Sequence, residues 1–183
     1  KVFFVFHYLN YSIPVKQDPS LKALIFDLGG VIVDLSVDHT LQAFSDLSGF
    51  EKEKVKNIYY SSEGFEAYEK GMITDDDFRN LVRETYSISS SAAVIDASWN
   101  AMIRGLPLRK LQLMEKLKES YSVYLLSNTN SIHISYVNEV VLPGLGHHGR
   151  TLDTYFHRAY YSRIMKKRKP NADIFEQVLE ENN

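Results

Sequence analysis

The sequence contains no cysteine, which excludes a disulfide framework, a thiolate nucleophile and a cysteine-ligated zinc site. It also lacks an excess of either charge. The 21 Lys and Arg stand against 23 Asp and Glu, and a net charge of -2 argues against nucleic acid as a partner. Long apolar runs are missing too. The opening Lys1-Val2-Phe3-Phe4-Val5-Phe6-His7-Tyr8-Leu9 is apolar behind one positive charge, yet it is too short to span a bilayer. No small-residue cleavage site follows it before Pro14, so it reads as a β-prone segment or a non-native leader ahead of the alternative of a truncated signal peptide, and it is prone to aggregate if exposed. No membrane partner is expected, and a reducing, cytoplasmic setting agrees with the missing cysteines. What remains is the make-up of a globular protein: 183 residues, 44% hydrophobic and 24% charged, enough for one core with an inserted unit.

The most informative stretch is Leu24-Ile25-Phe26-Asp27-Leu28-Gly29-Gly30-Val31-Ile32-Val33-Asp34, an apolar strand that ends in an aspartate and two glycines. A carboxylate at the end of a buried strand is costly unless a metal, a cation or hydrogen bonds offset its desolvation. The glycines allow a sharp turn and close approach to a ligand, and in open α/β sheets ligands sit beyond the carboxyl ends of the strands. The plainer alternative is an ordinary strand and turn with Asp27 as a cap. A second apolar run, Tyr121-Ser122-Val123-Tyr124-Leu125-Leu126, delivers Ser127-Asn128-Thr129-Asn130 at its end. Further on, Lys169-Pro170-Asn171 precedes a segment whose apolar residues Ile174, Phe175, Val178 and Leu179 follow helical spacing.

With Asp27, Ser127 and Lys169 in this order, the chain resembles the haloacid dehalogenase (HAD) superfamily of hydrolases, in the branch with a helical cap inserted after the first strand, similar to its sugar-phosphate phosphatases. The resemblance runs from about Leu21 to the end. It implies an α/β fold, a Rossmann-like core with a parallel sheet built from 21-37 and 106-183, a helical cap over 38-105, and an N-terminal extension over 1-20. It further implies Asp27 as nucleophile, Lys169 as catalytic cation, and Ser127, Asn128 and Gly30 around a phosphate. Mg²⁺ would be held by Asp27 and the backbone carbonyl of Gly29. The expected reaction is Mg²⁺-dependent hydrolysis of a small phosphorylated metabolite, plausibly a sugar phosphate, through an aspartyl-phosphate, which divides one hard step into two easier ones. A Ser hydroxyl, the N–H groups after Asp27 and Ser127, and a lysine ammonium supply fixed donors for the developing charge.

Two departures from the family pattern stand beside these matches. Where the family's phosphatases usually place a second aspartate, which protonates the leaving oxygen, this chain has Gly29, as some sugar-phosphate phosphatases do. Its absence removes a donor worth ~10²–10⁴-fold in rate. Either the substrate has a good leaving group or the cap donates the acid. Glu63, Glu66 and Glu69 are candidates for that acid, although a solvated helix face is the expected place for each. The second departure is at Asn183, soon after Lys169 and before the aspartate-bearing strand of the family's fourth motif. The resemblance therefore implies a C-terminally truncated chain, a fragment with an incomplete metal site. The alternatives are a dehalogenase and a binding module that holds phosphate ligands or proteins without turnover. Truncation would also bare one edge of the Leu21 to Phe26 strand, where Val2 to Tyr8 is expected to pair.

Between the first two motifs the pattern is helical. Thr74 with Asp75, Asp76 and Asp77 matches a helix start, and Phe78, Leu81, Val82 and Thr85 continue it. Ala92, Ile95, Trp99, Met102 and Ile103 mark another helix, Asp38 to Phe44 and Glu51 to Tyr60 two more, and Pro107 starts the return to the core. The glycine pattern over Gly144 to Gly149 lacks the following helix and acid of a dinucleotide site. The basic cluster Arg163, Lys166, Lys167, Arg168 and Lys169 reads as a solvated loop favouring anionic substrates.

Overall fold

The computed structural model describes residues 2–5 and 20–182. Strand β1 (Val2–Val5) is followed by β2 (Ala23–Phe26) and the short β3 (Asp34–Leu35). Helices α1 (Val37–Ser48), α2 (Lys52–Ser61), α3 (Glu63–Glu69), α4 (Asp75–Tyr86) and α5 (Ala92–Asn100) come next. Strand β4 (Ile103–Gly105) and helix α6 (Leu108–Lys118) lead into β5 (Ser122–Ser127). After α7 (Ser131–Tyr136), a π-helical turn (Val137–Val141) and α8 (Leu142–Gly144), the chain forms β6 (Arg158–Tyr161), α9 (Ser162–Met165) and α10 (Ala172–Glu180).

The main sheet is parallel in the order β1-β2-β5-β6. Burial on both faces explains why β2 and β5 read as continuous apolar runs. Along β5, Val123 and Leu125 enter one core with Leu111 and Met114 of α6, while Leu126 faces Ile174 and Val178 of α10. This is the two-residue alternation of a strand covered on both sides. Val2–Val5 lies parallel to Ala23–Phe26, the edge expected for that segment. Phe6, His7 and Tyr8 lie outside the described residues.

Helices α1 to α5 enclose a separate core in which Phe44, Phe65, Phe78, Tyr86 and Trp99 meet. Thr74 caps α4 as the sequence suggests, its side chain accepting from Asp77 N–H while Asp77 accepts from Thr74 N–H. The three acids there are used separately, since Asp76 pairs with Arg79 and Asp75 accepts from Tyr68 and Ser131. One expectation is corrected: α5 stops at Asn100, and Ile103 opens β4, paired antiparallel with β3. That pairing partner lies far away in sequence, so local periodicity carried no sign of it.

Thr40 holds the ends of this bundle together. Its Oγ1 lies 2.9 Å from the carbonyl oxygens of both Ser98 and Trp99 and accepts from Met102 N–H at 3.1 Å. The residue is fully buried. Thr40→Val keeps the shape but strands these groups, so thermal unfolding should show a loss of ~1–3 kcal/mol. An unchanged Tm would mean that the three contacts do not matter.

Candidate active site

Asp27 stands at the carboxyl end of β2, and Ser127 closes β5 alongside it. Lys169 Nζ reaches Asp27 Oδ1 at 2.7 Å and also donates to the Leu126 carbonyl at 2.9 Å. Burial pushes the Lys169 ammonium below the usual lysine range, and the charge of Asp27 opposes that shift. Asp27 Oδ1 accepts a second bond from the Leu28 N–H at 2.7 Å.

The loop after Asp27 is a plug. Leu28's carbonyl accepts from Val31, Ile32 and Val33, whose side chains are buried in the core. Gly30, at φ +74, sits in the left-handed region open to glycine. Its N–H donates to Val33 O at 2.8 Å, which corrects the expectation that it faces a phosphate. Its contribution is the turn. The Gly29 carbonyl takes no part in these turn bonds.

Asn128 also differs from expectation. Its side chain both donates to Lys169 O and accepts from Lys169 N–H, each at 2.9 Å, so it clamps the lysine's backbone. The backbone N–H of Asn128 is what it can offer a ligand. Ser127 is 1% exposed, and its hydroxyl makes a long 3.3 Å bond to Asn128 O, one easily exchanged for a better acceptor.

A cavity of about 180 Å³ opens above this strand end, lined by Gly29, Leu35, Tyr59, Glu69, Ser127 and His133 among others. A larger, open groove of about 620 Å³ between the start of α4 and α9 holds none of the motif residues, so the smaller cavity is the candidate site. His133 forms part of its wall: burial lowers it to about 4, so it is neutral at pH 7. Its Nε2 donates to Trp99 O and its Nδ1 accepts from Asn130. Burial pushes the Tyr59 hydroxyl up, keeping it protonated.

Glu63 and Glu66 are exposed, as expected for a solvated helix face, but Glu69 is not. It turns into the cavity and pairs with Arg168 at 3.1 Å. The basic cluster is likewise corrected: Arg168 bonds Glu66 and Glu69, and Lys166 bonds the Gly71 carbonyl, so these cations tie α3 and its following turn to the loop before Lys169. The signal in the sequence was a cation adjacent to the Lys-Pro pair, which needed a partner.

Magnesium takes hard oxygen ligands and keeps several waters, often with only one or two carboxylates plus substrate phosphate. The Asp27 carboxylate and the Gly29 carbonyl are donors of that kind, two residues apart at one strand end, and so fit the protein's share of such a site. Among the described residues, no group of three or more His, Cys, Asp or Glu converges.

No family model matches the chain. It is 30% identical over 161 residues to the D-ribitol-5-phosphate phosphatase of Bacteroides thetaiotaomicron, covering 88% of this chain and 77% of that protein. Among solved structures it superposes on a HAD family enzyme of Bacteroides thetaiotaomicron in complex with magnesium and inorganic phosphate. The TM-score is 0.79 at 35% identity, over 88% of this chain and 78% of that one. A HAD-like family hydrolase of Porphyromonas gingivalis follows at 0.76 and 25%, over 87% and 75%. With a relative this close aligned over most of both chains, and with Asp27, Ser127 and Lys169 gathered at one end of a parallel sheet, this chain belongs to the HAD-like hydrolase superfamily.

Proposed function

We propose that the protein is a Mg²⁺-dependent phosphatase of small phosphate monoesters of the sugar or polyol phosphate class. The observation that carries this reading is the 2.7 Å pairing of Asp27 with Lys169 at the strand ends, next in the chain to Leu28 and Gly29, which line the cavity. Asp27 attacks phosphorus and takes the phosphoryl group. Lys169, the Ser127 hydroxyl and the N–H of Asn128 bind its oxygens as charge develops on them. Asp27 and the Gly29 carbonyl would hold Mg²⁺, which would supply positive charge to neutralise the phosphate. Residues 38-105 act as the cap that excludes water and selects the organic part of the substrate. A substrate of the polyol 5-phosphate type is supported by the relative's activity on D-ribitol 5-phosphate.

The test is phosphate release from a panel of pentitol, pentose and hexose phosphates with MgCl₂, repeated with EDTA. Turnover that EDTA stops is expected. No release from any member would overturn the reading, and release that EDTA leaves untouched would overturn the metal's part in it.

A further inference from the structure

Hydrolysis of an alkyl phosphate needs a proton for the leaving oxygen, and position 29, two residues after Asp27, offers none. The vacancy is structural as well as chemical, since a Cβ at Gly29 would come 2.5 Å from Leu35 Cδ1. Leu35 occupies the space into which a side chain there would grow, and it also lines the cavity. The acid must come from elsewhere in the wall.

Three titratable side chains line the described cavity, whose wall also includes Leu28 and Gly29, the residues that follow Asp27: Tyr59, Glu69 and His133. Both His133 nitrogens are engaged, and its low proton affinity makes it a poor acid at neutral pH. Burial makes Tyr59 a weak acid that gives up its proton reluctantly at neutral pH. Glu69 remains.

Glu69 is fixed to two of the three core segments that carry the motif residues, those of Ser127 and Lys169. Its backbone carbonyl accepts from Ser162 Oγ at 2.6 Å, and the same Oγ accepts from Thr129 N–H at 3.0 Å, two residues after Ser127. Its carboxylate pairs with Arg168, the residue before Lys169. These contacts hold the end of α3 beside the strand ends while its side chain stays 26% exposed and lines the cavity. Burial raises its proton affinity and Glu66 adds to the shift, against the opposing charge of Arg168.

We propose that Glu69, delivered by the helical bundle, is the general acid and base that replaces the missing side chain at position 29. This rests on the phosphatase reading above. In the first step an Asp27 oxygen bonds to phosphorus and the bond from phosphorus to the ester oxygen breaks. That oxygen keeps the electron pair and takes the Glu69 proton, giving alcohol, aspartyl-phosphate and Glu69 carboxylate. In the second, Glu69 removes a proton from water and the water oxygen bonds to phosphorus. The bond to Asp27 then breaks, releasing phosphate and restoring both carboxyl groups to their starting forms.

The deciding experiment compares kcat/KM, which reports the first step, for an alkyl phosphate and for p-nitrophenyl phosphate, in wild type, Glu69→Gln and Arg168→Met. Glu69→Gln should lose ~10²–10⁴-fold on the alkyl ester, whose leaving group needs the proton, and far less on the aryl ester. The wild-type alkyl rate should fall as pH rises through the elevated Glu69 value, and that limb should vanish in Glu69→Gln. Arg168→Met should keep the wild-type ratio between the two esters. Parallel losses on both esters, or Arg168→Met reproducing Glu69→Gln, would make Glu69 a strut and overturn the proposal alone. A wild type that cleaves neither ester would overturn the phosphatase reading and the acid with it.

Discussion

Replacing Asp27 with Asn should abolish phosphate release, by on the order of 10⁴–10⁶-fold, because an amide can neither attack phosphorus nor carry the phosphoryl group. The substitution is nearly isosteric, and the Asn oxygen can still accept from the Leu28 N–H, so the loop after β2 should keep its shape. Lys169 would lose the charge of its carboxylate partner while keeping its bond to the Leu126 carbonyl and remaining largely buried at 11% exposure, and its ammonium would be held still less firmly. Initial rates on the best sugar phosphate, with circular dichroism to establish folding, give the answer. A folded Asp27→Asn protein retaining about a hundredth of the wild-type rate would contradict the covalent route, since loss of a nucleophile costs more than that.

Lys169→Met should cost ~10²–10³-fold, the usual effect of removing one fixed donor from developing charge. Its methylene stem keeps the packing, but the bonds to Asp27 and to the Leu126 carbonyl disappear. The pH dependence has a definite sign. Burial lowers the lysine's proton affinity, so the wild-type ammonium is lost, and the rate with it, at a lower pH than for an ordinary lysine. In Lys169→Met that alkaline limb should be absent. Measuring it on p-nitrophenyl phosphate, whose leaving group needs little protonation, separates it from the Glu69 limb. An alkaline limb that survives in Lys169→Met would assign the titration to another group. Arg at this position should not rescue, since a planar fork cannot place its charge as a compact ammonium does.

Much of this protein was legible in the sequence, for reasons that differ from part to part. The strand ending in Asp27, the strand ending in Ser127 and the helix after Lys169-Pro170 announce themselves through local patterns, because burial on both sheet faces demands unbroken apolar runs. The helix start at Thr74 was legible for the same reason: a capping box lies within one turn. The missing acid at Gly29 is a matter of residue identity alone.

What the sequence could not fix are the contacts between residues far apart in the chain. Periodicity kept Ile103 in a helix, yet its backbone pairs with β3. Asn128 looked like a phosphate ligand, but two hydrogen bonds bind its side chain to the backbone of Lys169. Gly30 looked like a donor, but the turn uses its N–H for Val33. Glu69 looked like one of three equivalent acids on a wet helix face until α3 was set against the Thr129 and Arg168 segments. Residue type and local spacing therefore determined the elements and the chemical groups available to this protein. Which groups face the cavity, and which are tied up holding it together, depended on tertiary packing, because a side chain's partners and its burial are set by neighbours that only the folded chain brings within a few ångströms.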